Sequence, residues 1–193
     1  MNITRMTLGD YATNCYIVSG EKGICAVIDP GYTPEKILAK VRELGLHVEA
    51  ILLTHGHFDH IGGVQAIAEE TDCRVYVHEA EKSLPPCFMR DTLYYTDFYR
   101  DGDTVTVGDL TFKVLETPGH TLGSVCLLCE DAMFSGDTLF ARSCGRTDMG
   151  GSWDLMLESL HRLSLLEKDY KVYPGHGAYT TLAQEKKYNP YME

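Results

Sequence analysis

The sequence predicts a layered α/β sandwich, on three observations. Short runs rich in branched residues recur between Gly and Asp turns. Amphipathic helical stretches are interspersed among them. No linker or low-complexity segment breaks the 193 residues. Apolar residues at 44% and charged residues at 23% are globular proportions, and the length suits one domain with a sizeable core, so residues 1–193 are read as a single domain.

Strands are expected first at Asn2–Leu8, Cys15–Ser19 and Ile24–Ile28. Thr33-Pro34 opens a helix whose apolar face is Ile37, Leu38, Val41 and Leu44, and Gly45 closes it. Val48–Thr54 reads as a short buried strand, followed by a helix from Ile61 to Glu70 and a strand at Arg74–His78. A hairpin joins Thr104–Val107 to Leu110–Glu116 around Gly108-Asp109, and Ser124–Cys129 and Ala132–Ser135 turn at Glu130-Asp131. The remainder gives a helix from Trp153 to Leu166, a strand at Lys171–Tyr173 and a short helix opened by Thr181, with Gln184 completing a capping box.

Acidic residues outnumber basic ones 28 to 17, a formal net charge of −11 with no basic footprint, which argues against nucleic acid or an anionic membrane as partner. No apolar run approaches the ~18 residues of a membrane span. Met1–Gly20 mixes polar residues through its apolar ones, unlike a signal peptide, so a cytoplasmic location is expected. The seven cysteines read as reduced and buried. Cys126 and Cys129 are three apart on an expected strand and so point to opposite faces, which disfavours a shared metal.

The chemistry concentrates in Thr54-His55-Gly56-His57-Phe58-Asp59-His60, directly after an expected strand. His55 and His57, two apart in extended backbone, project the same way, and Gly56 lets the chain pass close to whatever they bind. Asp59 and His60 lie where the next helix begins. Imidazoles with carboxylates are ligands for zinc, iron or manganese rather than calcium or magnesium. A second device occurs twice: Thr117-Pro118-Gly119-His120 and Tyr173-Pro174-Gly175-His176 each leave a histidine just past a strand.

His-x-His-x-Asp-His at 55–60, Pro-Gly-His-Thr at 118–121, Ser-Gly-Asp-Thr-Leu-Phe at 135–140 and Pro-Gly-His at 174–176 resemble the metallo-β-lactamase-fold hydrolases. Within them the sequence is most similar to the glyoxalase II (hydroxyacylglutathione hydrolase) branch. The resemblance implies a four-layered αββα sandwich with two divalent metal ions at one edge, zinc first, iron or manganese as alternatives. One subsite would take His55, His57, His120 and Asp137. The other would take Asp59, His60, Asp137 and His176, with Asp137 bridging. Asp29, in Asp29-Pro30-Gly31, matches an early aspartate that orients a ligand histidine, though Asp-Pro-Gly is also a turn sequence. The implied reaction is hydrolysis of a small anionic thioester of the hydroxyacylglutathione type by metal-bound hydroxide, with Asp59 orienting the hydroxide and sharing in its proton transfer.

The helical extension that contacts glutathione in full-length glyoxalase II is not matched, and the single-domain type II-like proteins, which share Gly145-Arg146-Thr147-Asp148, resemble the chain better. Arg146 is suited either to clamping a substrate carboxylate or to bracing its loop against Asp148 or Asp154. The persulfide dioxygenases, with one iron on positions equivalent to His55, His120 and Asp137, are the alternative, and a catalytically idle metal-binding member is a further one. β-Lactamases proper are set aside because Asp137 fills a bridging place they lack. Residues 84–102 carry five aromatics, Phe88, Tyr94, Tyr95, Phe98 and Tyr99, after Pro85-Pro86. They are expected either to pin this segment to the body or to lean over the metal edge, where Tyr94, Tyr95 and Tyr99 would line an acyl pocket.

Overall fold

The computed structural model describes residues 1–90 and 92–192. Its first sheet runs, in spatial as in chain order, through β1 (Asn2–Leu8), β2 (Thr13–Ser19), β3 (Ile24–Ile28), β4 (His47–Leu52), β5 (Arg74–His78) and β6 (Asp97–Tyr99). The second is built from β7 (Thr104–Val107), β8 (Leu110–Glu116), β9 (Val125–Cys129) and β10 (Ala132–Gly136). A separate ribbon, β11 (Leu139–Phe140) with β12 (Ser143–Cys144), follows, and then β13 (Lys171–Pro174) and β14 (Thr180–Thr181) complete the second sheet in the order β14-β13-β10-β9-β8-β7. The helices are α1 (Pro34–Glu43), α2 (Phe58–Ile61), α3 (Val64–Thr71), α4 (Pro86–Met89), α5 (Trp153–Ser164) and α6 (Leu182–Tyr188).

Strand alternation explains why the central strands are apolar throughout. On β2, β3 and β4, Tyr16, Val18, Ala26, Ile28, Ala50 and Leu52 face the second sheet and meet Phe112, Val114, Leu127 and Phe134. Cys15, Ile17, Cys25, Val27 and Ile51 face the other way and are covered by Ile37, Val41, Val64 and Ile67 of α1 and α3. Beyond the second sheet, Cys126, Leu128, Met133 and Val172 pack under Met156, Leu160 and Leu163 of α5 and Leu182 of α6. The layers are therefore α, β, β, α. Cys126 and Cys129 fall on opposite faces of β9, one under α5 and the other between the sheets.

Besides the short elements α4, β11, β12 and β14, which were not expected, two regions differ from expectation. The helix expected over Ile61–Glu70 is two helices, α2 and α3, parted at Gly62-Gly63, where the Gly63 N–H donates to Pro30 O at 2.7 Å instead of continuing the first helix. A Cβ at Gly62 would stand 2.4 Å from Gly31 O, so the chain can turn there only without a side chain. The aromatic segment is partly a strand: β6 pairs in parallel with β5, Tyr76 opposite Asp97 and His78 opposite Tyr99. Among the described residues, no helix is long and apolar enough to cross a membrane.

Candidate metal centre

Four strands of the two facing sheets end at one edge, and each hands its following loop a ligand-type side chain. After β4 come His55 and His57, with Asp59 and His60 in the first turns of α2; after β8 comes His120; after β10, Asp137; after β13, His176. Asp137 reaches the centre because Gly136 holds φ at 48°, a left-handed conformation, with its bare Cα against Thr54, where a Cβ would stand 2.4 Å from Oγ1. An isolated bridge from Thr13 to His176 draws the last loop onto the start of β2.

The five histidines share one arrangement. One ring nitrogen of each donates outward to a fixed acceptor: His55 Nδ1 to Thr54 Oγ1 at 3.0 Å, His57 Nε2 to Met149 O at 2.9 Å, His60 Nδ1 to Asp29 Oδ2 at 2.9 Å, His120 Nδ1 to Arg146 O at 2.6 Å and His176 Nδ1 to Tyr11 O at 3.1 Å. The other nitrogen of each is turned to the common centre. His57 Nδ1 and His120 Nε2 meet there at 2.8 Å, and His60 Nε2 lies 3.5 Å from Asp137 Oδ1 and 3.6 Å from Asp59 Oδ2. His176 Nε2 is 3.2 Å from Asp59 Oδ2 and 3.4 Å from Asp137 Oδ2.

These residues fit a metal site on evidence internal to the structure. His55 Nε2, His60 Nε2 and Asp137 Oδ1 are buried without a hydrogen-bond partner, three of the four such side-chain atoms among the described residues. Orphaned polar atoms are costly in an interior, and here they converge. The inward nitrogens of His55, His57 and His120 lie within 4.8 Å of one another, as do the ligand atoms of Asp59, His60 and His176.

The electrostatics point the same way. Burial, reinforced by the neighbouring His120, lowers His57 to about 4, and burial keeps His55 well below the usual imidazole range, so both rings are neutral at pH 7, the form that can bind a metal. At the other side burial opposes charge but loses: Asp137, Asp29 and Asp59 push His60 up to about 9, and hydrogen bonds to Asp137 and Asp59 push His176 up to about 10. Asp137 is held at about 2, its burial outweighed by His60, His176 and His120, and Asp59 also lies below its ordinary range. The carboxylates thus demand positive charge at their centre, which protons or metal cations satisfy.

The surroundings hold the ligands still. Asp29 accepts the Thr54 N–H at 2.8 Å and the Thr54 hydroxyl at 2.6 Å besides His60, so His55 and His60 are both oriented from one carboxylate. Thr13 donates its hydroxyl to Asp59 Oδ2 at 2.9 Å. In front of the centre lies a cavity of about 260 Å³, lined by His57, Asp59, His120, Asp137 and His176 together with Tyr11, Phe58, Phe140, Gly145, Arg146 and Met149.

Arg146 therefore reaches the cavity, but its guanidinium is forked onto Asp148, Nε and Nη2 each 2.6 Å from a carboxylate oxygen. The three tyrosines expected in the acyl pocket do not line it. Tyr99 is 1% exposed because β6 carries it between the sheets, where its hydroxyl donates to Leu53 O and its ring stacks on Tyr76. Tyr94 is partly buried against the core on the outer face of the first sheet, and Tyr95 lies at the surface against Phe98. Of that segment's aromatics Phe88 comes nearest the centre, its ring centroid 6.2 Å from that of His57. The walls missed by sequence reading, Tyr11, Phe58, Phe140 and Met149, had two visible signals: Phe58 stands inside the His-x-His-x-Asp-His motif, and Phe140 ends Ser-Gly-Asp-Thr-Leu-Phe.

Comparison with known proteins agrees with this geometry. An uncharacterized protein of Mycobacterium tuberculosis (strain ATCC 25618 / H37Rv) is 38% identical over all of this chain and 98% of its own length. The hydroxyacylglutathione hydrolase GloC of Haemophilus influenzae is 31% identical, again over all of this chain and 98% of its own. Among solved structures, the BLEG-1 B3 metallo-beta-lactamase superposes with a TM-score of 0.90 at 34% identity, covering 99% of each chain. ETHE1 from Myxococcus xanthus gives 0.85 at 33% identity over 98% of this chain and 84% of its own. TTHA1623 in a di-iron-bound form gives 0.84 at 36% identity over 97% and 99%. The family model of the metallo-beta-lactamase superfamily matches residues 8–176, and the chain belongs to that superfamily.

Proposed function

We propose that this centre is a dinuclear hydrolase site cleaving a small anionic thioester of the hydroxyacylglutathione class. The observation that carries the reading is the common arrangement of the five histidines, each held from outside by its far nitrogen and open towards two carboxylates that need positive charge. His55, His57, His120 and Asp137 would hold one ion, and Asp59, His60, Asp137 and His176 the other. Zinc suits this nitrogen and oxygen set, as do iron and manganese, and the di-iron form of TTHA1623 is a precedent for iron. Such ions, when bound, bring the pKa of a bound water to around 7 and polarise a carbonyl.

The chain's own residues do the rest. Asp59, fixed by the Thr13 hydroxyl, presents a carboxylate in the cavity wall that can orient an attacking water and take its proton. Phe58, Phe140 and Met149 offer an apolar wall to an acyl chain, while Arg146 at the rim offers charge to an anionic end. The GloC relative, aligned over 98% of its length, favours a thioester; the B3 metallo-beta-lactamase neighbour shows that likeness of fold does not choose between acyl substrates.

The test is anaerobic thiol release from S-lactoylglutathione by the protein loaded with zinc and, separately, with iron, with a persulfide under oxygen and a chromogenic β-lactam alongside. Thioester turnover without oxygen is the expected result. Oxygen-dependent persulfide consumption with one iron per chain and no thiol release would replace the reading with the dioxygenase one, and no turnover of any of the three would leave a metal-binding member without this activity.

A further inference from the structure

Glu81 lies outside every motif of the metal centre, in the 3₁₀ turn Glu79–Ser83 that follows β5, and it is 1% exposed. A carboxylate so deeply buried needs its lone pairs satisfied. Two loops satisfy them. Oε2 accepts the Gly56 N–H at 2.6 Å, while Oε1 accepts the Gly123 N–H at 2.8 Å and the Thr121 hydroxyl at 2.7 Å. Gly56 separates His55 from His57, and Thr121 follows His120. One side chain from a third segment thus fastens together the two loops that carry the three imidazoles of the first subsite.

Two glycines make this approach possible. A Cβ on Gly56 would stand 2.9 Å from Oε2, and one on Gly123 would stand 2.6 Å from Oε1. The sequence reading gave Gly56 the task of bringing the chain close to a bound ion; in the structure its bare Cα faces Glu81 instead. Glu81 is not in the wall of the 260 Å³ cavity, so it is placed to act on the ligands and not on a substrate.

We propose that Glu81 is a positioning residue of the first metal subsite: it clamps the His55-Gly56-His57 loop to the His120-Thr121 loop, so that the three inward nitrogens keep their mutual spacing, without touching ion or substrate. This rests on the metal-centre reading above. It goes further in assigning that spacing to one carboxylate remote from the motifs.

Glu81→Gln keeps the shape of the side chain and changes what it can accept. Its amide oxygen still serves Thr121 and Gly123, but its NH₂ meets the Gly56 N–H donor against donor, so the clamp opens on the His55–His57 side. The affinity of the first subsite for zinc, measured by chelator competition, is expected to fall about 10–100-fold, the range for groups that orient metal ligands. The second subsite should keep its affinity, and the visible spectrum of cobalt(II) in the first subsite should shift. Thr121→Val, which removes one bond to the other loop, should move both readouts the same way by less, and it decides the matter should Glu81→Gln not fold. A merely structural role would lower the melting temperature of the metal-free variants while leaving zinc affinity and cobalt spectrum as in the wild type, and that result overturns the proposal. A wild-type protein that takes up no metal overturns the metal-centre reading, and this inference with it.

Discussion

Oδ2 of Asp29 lies 2.9 Å from Nδ1 of His60, and the same carboxylate receives both the backbone N–H and the hydroxyl of Thr54, so one residue just past β3 grips the chain after β4 at two points six residues apart. Asp29→Ala would leave a buried imidazole and a buried amide without partners. We expect a loss of about 3–5 kcal/mol in unfolding free energy, the range for a broken buried pair, read by denaturant titration. The second metal should be lost preferentially, read by elemental analysis.

The inward nitrogens of His57 and His120 face each other at 2.8 Å with a lone pair apiece, a repulsive pairing that a cation relieves. Stripping the protein with a chelator should therefore lower its melting temperature. Restoring zinc to a thousandfold excess over Kd should return about 4 kcal/mol, followed by differential scanning calorimetry.

Asp137 stands within 3.5 Å of nitrogens from His60, His120 and His176, so it faces both groups of ligands. Asp137→Ala should reduce thioester turnover by at least about 100-fold, beyond the upper range for residues that only orient ligands. Cys144→Ala should leave it unchanged. Thiol release under anaerobic conditions measures both.

The pairing of Arg146 with Asp148 competes with any anionic substrate for the guanidinium, and the same pairing holds Asp148 down at about 2. Arg146→Ala should raise KM by about tenfold, the value of one charge-assisted hydrogen bond, with kcat little altered. Asp148→Asn frees the guanidinium and should lower KM.

Tyr99→Phe removes the hydroxyl that satisfies Leu53 O in the core, at a cost of about 1–2 kcal/mol, visible in chemical denaturation. Steady-state constants should not change, nor should they on replacing Tyr94 or Tyr95, because none of the three reaches the cavity.

The parts of the fold that were legible in the sequence are those set by short-range rules. Alternation and turn residues located β1, β3, β5, β7 and β8, and the Thr33-Pro34 to Gly45 segment located α1. β6 was not legible: Asp97–Tyr99 is a three-residue strand whose pairing with β5 is decided by long-range register, and its aromatic richness reads equally as a lid. The ligand-type residues were legible because so many histidines and aspartates in fixed order have few other uses. Most of the cavity wall and the Glu81 clamp were not, since Tyr11, Met149 and Glu81 come from segments with no pattern of their own and meet the centre only through the packing of two sheets.

The ligands are shared between the two sheets: four follow β4 in the first, and His120, Asp137 and His176 follow strands of the second. A chain leaving the ribosome exposes its first four ligand side chains more than a hundred residues before the last. None of the proposed subsites can close on a nascent N-terminal half, because each needs at least one residue beyond position 119. Neither proposed subsite can therefore take its full set of ligands until strands of the second sheet have been made and paired, and a half-made chain that meets free zinc offers it only incomplete, exchangeable sites.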